Sequence, residues 1–136
     1  MLLTERISTA QRTEVLDITP RVRELVQNAG IAGGICVVYV PHTTAAGSIN
    51  ENADPDVKHD VLAKLERLVP DRESYYRHAE GNSYAHLKTI LPGPSVTLII
   101  DRGRLVLGRW QGIYFCEFDG PRSRTYHVKL LADLPG

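Results

Sequence analysis

Five histidines are the side chains in this sequence best suited to hold a metal ion or move a proton: His42, His59, His78, His86 and His127. His59 falls on the polar side of a predicted helix and His127 alternates with apolar residues in a predicted strand, so we expect both at the surface. His42 directly follows a predicted core strand, while His78 and His86 flank the segment EGNS. If these three imidazoles converge, they suit zinc or a similar divalent ion. Alternatively, His42 only bonds main-chain groups at a strand end.

Carboxylates stand in the same polar segments, with Glu51, Glu80 and Glu117 as candidate ligands or partners of ligands. If residues 111–118 form a strand, Gln111 and Glu117 lie on the same face as apolar neighbours. Glu117 would then lie in or against the core, where burial raises its pKa unless a cation or hydrogen bonds stabilise the charge.

Arg122 and Arg124 lie two residues apart after a DGP turn, so an extended chain points both guanidinium groups the same way. Two such groups suit a phosphate or carboxylate. The alternative is that one of them pairs with Glu117 or Asp119. Neither GxxxxGK[ST] nor GxGxxG occurs in the sequence, which argues against a standard nucleotide-binding loop.

The composition describes a balanced chain of 136 residues with 43% hydrophobic residues, 16 basic and 16 acidic residues. Zero net charge argues against nucleic-acid or membrane-surface binding. No segment has the ~20 consecutive apolar residues of a membrane span, and the N-terminus does not resemble a signal peptide. We therefore expect a cytoplasmic protein with no membrane partner, whose two cysteines, Cys36 and Cys116, are buried and reduced.

Local signals predict three helices and several strands. Thr19-Pro20 and Asp54-Pro55 each resemble an N-cap followed by proline, Gly30 and Pro70 end these two helices, and Asn82 or Ser83 caps a third helix through Ile90. The strands are predicted at 2–10, 14–18, 33–40, 95–101, 104–108, 111–118 and 123–131. The polar run PHTTAAGSINENAD after the third strand is interpreted as a loop that the sheet positions. The pattern predicts a single α+β domain over residues 1–136, with a mixed, mostly antiparallel sheet.

Three motifs carry a resemblance that covers nearly the whole chain: HTTAAGSINENADPD, HAEGNSYAHLK and GRWQGIYFCEFDGPRSR. In this order and spacing they resemble the YjbQ-type family, also called the secondary thiamine-phosphate synthase family. The family usually has Gly-Thr-Trp-Gln where this chain has Gly108-Arg109-Trp110-Gln111. Arg109 therefore departs from the family pattern in one loop.

The resemblance implies a compact α+β fold with a barrel-like sheet, a homotrimer, and a polar cleft near a subunit interface. It also implies a divalent metal ion, with zinc as our expectation, and a thiamine-phosphate synthase-like activity. The residues that this implies fall into three groups. The metal ligands are His42, His78 and His86; the catalytic residues are Glu51, Gln111 and Glu117; and the substrate-binding residues are Thr43, Thr44, Asn50, Asn82, Trp110, Arg122 and Arg124.

Three classes of function compete. The first is a metal-assisted enzyme that acts on a phosphorylated small molecule, either by thiamine-phosphate synthase-like transfer or as a metal-dependent hydrolase with Glu51 or Glu117 as general base. The second is a non-catalytic trimer that binds a metal or a metabolite. The third, nucleic-acid binding, is disfavoured by the zero net charge and the scattered arginines.

Overall fold

The computed structural model describes residues 1–135 and shows three helices and eight strands in that range. In chain order they are β1 (Leu2–Ser8), β2 (Glu14–Asp17), α1 (Thr19–Ala29), β3 (Gly34–Tyr39), β4 (Ala45–Glu51), α2 (Pro55–Leu68), α3 (Ser83–Ile90), β5 (Ser95–Asp101), β6 (Arg104–Leu105), β7 (Gln111–Glu117) and β8 (Ser123–Ala132).

The strands form two sheets that together make a curled half-barrel. A five-stranded sheet has the order β1-β8-β3-β5-β6, and a three-stranded sheet has the order β2-β7-β4. Every pairing between described strands is antiparallel. The predicted α+β class with a mostly antiparallel, barrel-like sheet is confirmed.

The polar run after β3 is a strand, and our interpretation of it as a loop was wrong for residues 45–51. β4 pairs with β7 over its whole length, from Ala45 opposite Glu117 to Glu51 opposite Gln111. Ala, Gly, Ser and Asn have low strand propensity, so the local sequence does not predict this strand. The small side chains of Ala45 and Ala46 are fully buried, which shows that packing against β7 and α3 overrides propensity here.

The helix boundaries follow the cap signals with one correction. The Asp54 side chain accepts a hydrogen bond from the Asp56 amide at 2.9 Å, as expected for the N-cap of α2. α1 instead has Ile18 as its N-cap residue. Thr19 lies inside the helix because its buried hydroxyl accepts a hydrogen bond from the Ile113 amide at 2.7 Å, tying α1 to β7.

The core lies on both faces of the three-stranded sheet. Ile113 and Phe115 of β7 join the larger cluster between the two sheets and α1. Tyr114 and Cys116, which alternate with them, join a second cluster with Tyr84 and Ala85 of α3 on the opposite face. The predicted alternation in β7 is confirmed, and Glu117 continues the face of Ile113 and Phe115.

Both cysteines are free and buried, as predicted. Burial raises the pKa of Cys36 to about 11 and that of Cys116 to about 12, so neither thiol is reactive at neutral pH. Among residues 1–135, no helix has the length and apolar character needed to cross a bilayer.

Candidate functional site

A buried ion pair closes the end of β7. Glu117 is fully buried and Arg124, on β8, is 6% exposed. Two nitrogens of the Arg124 guanidinium donate to the two carboxylate oxygens of Glu117. The same guanidinium donates to the Thr44 hydroxyl at 2.8 Å, so it bridges β7 and the start of β4.

The remaining acceptor capacity of Glu117 is also used. The Thr9 hydroxyl donates to Oε1 at 2.8 Å, and the amides of Phe118 and Asp119 each donate to Oε2 at 3.1 Å. Burial by itself raises the pKa of Glu117, but the hydrogen bonds from Arg124, Asp119 and Thr9 outweigh burial, so the pKa lies below its usual value. A fully buried, fully bonded and ionised carboxylate favours a positioning role for Glu117 over the predicted catalytic role.

His42 is half-buried and bonded to the main chain of β8. Its Nε2 lies 3.1 Å from the Thr125 carbonyl oxygen and 3.0 Å from the Thr125 amide nitrogen. Burial lowers the pKa of His42 and the positive charge of Arg124 lowers it further, so the ring is neutral at pH 7. The Thr125 amide donates to Nε2, an arrangement that puts the ring proton on Nδ1. In the other tautomer, in which Nε2–H donates to the carbonyl, the Nδ1 lone pair is free for a ligand.

His78 and His86 come together beside α3, as the sequence predicts for this pair. Their ring centroids lie 5.2 Å apart with the ring planes at 79°. Two imidazoles on one tetrahedral zinc ion, each with a Zn–N bond of about 2.0–2.1 Å, have ring centroids about 5 Å apart. The pair has the geometry of an edge-to-face aromatic contact, and its centroid separation is also that of two imidazoles on one zinc ion.

The structure does not place His42 with this pair. Within residues 1–135, no group of three or more His, Cys, Asp or Glu side chains is arranged to hold a metal ion. The charged groups and imidazoles that act on His42 are Arg124, Glu117 and His127. The three-histidine metal site stays a prediction, and one chain brings together two of its three histidines.

Asp119 connects the buried ion pair to the segment that carries the histidine pair. Its Oδ2 accepts from the Asn82 side-chain amide at 2.8 Å and from the Arg122 guanidinium at 3.0 Å. The side chain of Asn82 is buried, and its carbonyl oxygen has no partner among the described residues. Both arginines thus have a carboxylate partner, Arg124 with Glu117 and Arg122 with Asp119, which is the alternative left open by the sequence.

Four other predicted site residues lie at or near the opposite end of β7: Asn50, Glu51, Trp110 and Gln111. Gln111 and Glu117 bound this strand, so they are about 20 Å apart at about 3.3 Å per residue. The Gln111 side chain accepts from the Gly108 amide at 2.7 Å and holds the turn before β7. Trp110, in that turn, is 53% exposed. A single chain therefore does not bring Gln111 to the same reacting atoms as Glu117.

Three further predicted residues belong to β4 or the turn before it. Asn50, at the β7-start end, is exposed, and its side chain accepts from the Glu51 amide at 2.7 Å. Glu51 is half-buried and, within residues 1–135, its carboxylate has no hydrogen-bonding partner, which keeps it available as a base. Thr43 is exposed beside His42.

Sequence reasoning missed Thr9 and the bridging role of Asp119. The sequence names Asp119 only as a partner for an arginine and does not predict its contact with Asn82. Thr9 offers no local signal, because its contact with Glu117 joins residues 108 positions apart in the chain.

The sequence is similar to a described protein family and to individual proteins of that family. A family model described as "UPF0047 protein YjbQ-like" matches residues 4–133. The UPF0047 protein YugU of Bacillus subtilis is 50% identical over 131 residues, covering 96% of this chain and 99% of that protein. A UPF0047 protein of Methanocaldococcus jannaschii is 50% identical over 133 residues, covering 98% and 96% of the two chains.

Solved structures show the same fold. A YjbQ/UPF0047 family protein from Clostridium acetobutylicum, described as uncharacterized, superimposes with a TM-score of 0.92 at 47% identity, covering 95% of this chain and 99% of that one. A protein of unknown function from Sulfolobus solfataricus reaches a TM-score of 0.93 at 34% identity, covering 98% and 97%. The resemblance inferred from the three motifs is confirmed.

Proposed function

This chain belongs to the YjbQ-like UPF0047 family, and we propose that it is a metal-assisted enzyme acting on a phosphorylated small molecule, with thiamine-phosphate synthase-like transfer as the specific reaction. The observation that carries the proposal is the pair His78 and His86. Its ring separation fits two ligands of one ion, and neither ring is hydrogen-bonded to another residue within 1–135. Imidazoles with no structural partner are available as ligands.

In this proposal the third ligand comes from a neighbouring copy in a homotrimer. His42 has a free Nδ1 when its Nε2–H donates to the Thr125 carbonyl, and that main-chain bond fixes the ring in the way that partners of metal-bound histidines do. His42 of one copy, together with His78 and His86 of the next, would complete a zinc site with three protein ligands.

Two exposed apolar patches support such an assembly. The first, the α3 patch, consists of residues that line one open depression: Leu68, Tyr75, Leu87, Ile90 and Leu91. Each is at least 42% exposed, and Tyr75 and Leu87 also line the adjoining depression that contains His78 and His86. Apolar patches of this kind mark interaction surfaces. The histidine pair therefore lies at the edge of a surface suited to contact another chain.

The second patch is the open face of the five-stranded sheet, where large apolar side chains are exposed to solvent. Ile35 lies opposite both Ile99 and Leu131 in the sheet register, and all three are at least 42% exposed. On the same sheet Tyr39 stacks on His127, one of the groups that act on the pKa of His42. In a ring of three copies, each interface joins two different patches, one on each of the two neighbouring copies. If the α3 patch of one copy docks on this sheet face of the next, the histidine pair of the first copy approaches His42 of the second.

The residues of the chain have separate parts in this chemistry. A bound divalent ion would supply positive charge for a phosphorylated substrate. Glu51 has no side-chain partner in the described chain and is our candidate general base, for a substrate that reaches the end of β4 opposite Gln111, about 20 Å along the strand from Ala45. Glu117 holds Arg124 and the turn that presents Asp119, Arg122 and Asn82. Trp110 offers an exposed aromatic face for a flat heterocycle.

A second candidate is a metal- or metabolite-binding trimer without turnover. It is favoured by the bonding of two predicted catalytic residues, since Glu117 is fully engaged in the core and Gln111 holds a turn. Metal content that is retained without product formation from phosphorylated substrates would select this candidate.

The location and partners form part of the same proposal. We place the protein in the cytoplasm, where its free cysteines would stay reduced. The zero net charge supports a small molecule over nucleic acid or a membrane surface as the ligand.

Elemental analysis of purified variants tests the proposed metal site. We expect roughly one zinc per chain in the wild type and loss of most of it in His78→Ala and His42→Ala, because each removes one of three ligands. The control is His59→Ala, whose side chain is 78% exposed on α2. Retention of wild-type zinc in His78→Ala, with circular dichroism unchanged, would overturn the proposal.

A further inference from the structure

Three arginines that are scattered in the sequence line two adjoining cavities on the same side of the molecule. A cavity of about 260 Å³ is lined by residues that include Arg23, Arg109 and Trp110. A second cavity of about 350 Å³ is lined by residues that include Arg23 and Arg104. Arg23 lines both, so the two cavities adjoin at its side chain, and together we call them the groove.

These arginines are free of the ion pairs that engage Arg122 and Arg124. All three are exposed, and none forms a salt bridge or a side-chain hydrogen bond with another residue in 1–135. Asp17 is the one carboxylate among the residues that line the two cavities. Its two oxygens accept from the Thr19 amide and the Asn52 side chain, each at 2.9 Å. The groove therefore carries a local positive excess on a chain of zero net charge.

The aromatic wall of the groove is held in place. The Arg109 guanidinium lies 4.6 Å from the centroid of the Trp110 ring. The Trp110 carbonyl accepts from the Asn52 amide at 2.7 Å, and the Gln111 side chain closes the turn by accepting from Gly108. Tyr114 donates to the Asn52 side chain at 2.7 Å. These bonds fix the main chain at Trp110, while its indole is 53% exposed and contacts the Arg109 guanidinium.

We infer that this groove binds the phosphate group and the ring of a phosphorylated aromatic small molecule, with Arg23 and Arg109 on the phosphate and Trp110 against the ring. Guanidinium groups bind phosphate through paired charge-assisted hydrogen bonds, and an exposed indole face offers a surface for a planar ring. The inference deepens the proposed function and rests on it for the ligand class. It moves the phosphate contacts from Arg122 and Arg124 to arginines that have no carboxylate partner.

The test uses the natural fluorescence of Trp110, the single tryptophan of the sequence. Metal-free protein is titrated with phenyl phosphate, with phenol as the neutral analogue and inorganic phosphate as the ring-free one. We expect saturable quenching by phenyl phosphate at concentrations where phenol and inorganic phosphate have little effect. Arg23→Ala should weaken phenyl phosphate binding about tenfold, as loss of one charge-assisted contact does.

The matched control is Arg67→Ala, an exposed arginine in the last turn of α2 that lines neither cavity. Equal affinity of Arg23→Ala and Arg67→Ala, or no saturable binding of phenyl phosphate, would overturn the inference. A single-stranded oligonucleotide that quenches Trp110 where phenyl phosphate does not would also overturn it, in favour of nucleic acid. Since the titration uses metal-free protein, failure of the proposed metal site leaves its outcome unchanged.

Discussion

At the scale of single residues, the charged groups of the motifs divide into bonded and available ones. Glu117, Arg124, Asp119 and Arg122 use their charge on one another and hold the end of β7 to β4 and β8. His78, His86 and Glu51 have no such bonds within residues 1–135. We expect substitution of the bonded residues to lower the stability of the fold. Substitution of the available residues should instead change binding or activity.

Replacing Arg124 tests the first kind. Arg124→Met leaves the fully buried Glu117 without its cation, and we expect the free energy of unfolding to fall by about 3–5 kcal/mol at neutral pH. The pKa of Glu117 lies below its usual value in the folded protein. The contribution of ionised Glu117 to the free energy of unfolding is therefore fully present above the pKa that Glu117 has in the unfolded chain. It is lost as the pH falls through the pKa that Glu117 has in the folded protein. The difference between variant and wild type should shrink at acid pH.

Urea denaturation followed at several pH values measures this difference. The control is Arg122→Ala, because its guanidinium is half exposed and such pairs contribute only about 0–1 kcal/mol. Similar losses for the two variants, or a difference that widens toward acid pH, would contradict the role given to the ion pair.

At the scale of elements, α2 is attached to the molecule more weakly than α1. None of the 14 residues of α2 is buried, whereas α1 buries Thr19, Val22, Leu25 and Val26. The stability of α2 therefore depends on local terms such as its N-cap. Since α2 follows the motif that ends in ADPD, its N-terminus lies beside the β7-start end of β4.

We expect Asp54→Ala to loosen α2 without unfolding the domain. Loss of the 2.9 Å bond from the Asp56 amide costs about 1 kcal/mol of helix stability. Hydrogen exchange should accelerate in the amides of α2 by up to about tenfold and stay unchanged in β3 and β8. Asp60→Ala, at an exposed position within the same helix, is the control, and equal exchange in both variants would argue against the cap.

At the scale of the whole molecule, an isolated chain leaves two apolar patches exposed to solvent. The α3 patch and the open sheet face both expose large side chains that a second chain could cover. If they dock on each other in a closed ring, the proposed metal site forms only in the assembled trimer.

Lysine substitutions in the two patches test that link. Leu87→Lys and Ile99→Lys should each shift the protein from trimer to monomer in sedimentation velocity, because each places a charge in the proposed contact. Both variants should also lose most of the bound zinc although every ligand is intact. Val61→Lys changes a residue of α2 that is 38% exposed and outside both patches, and this variant should stay trimeric. A wild-type protein that is monomeric in solution would contradict the proposed metal site shared between copies.

Local signals in the sequence determined much of the architecture. Cap and proline pairs, with Gly30 after the first helix and Pro70 after the second, set the helix boundaries to within a residue or two. Alternation in residues 111–117 separated the two faces of β7 correctly. The three motifs established the family. These features depend on neighbours within a few positions, where side-chain type acts directly on the backbone.

Tertiary structure alone decided which polar residues meet. β4 is a strand because β7 and α3 bury its small side chains, and strand pairing places Gln111 and Glu117 at opposite ends of one strand. The same packing engages Arg124 with Glu117 and gathers Arg23, Arg104 and Arg109 along one groove. Such contacts join residues far apart in the chain, and no local propensity encodes the register that brings them together.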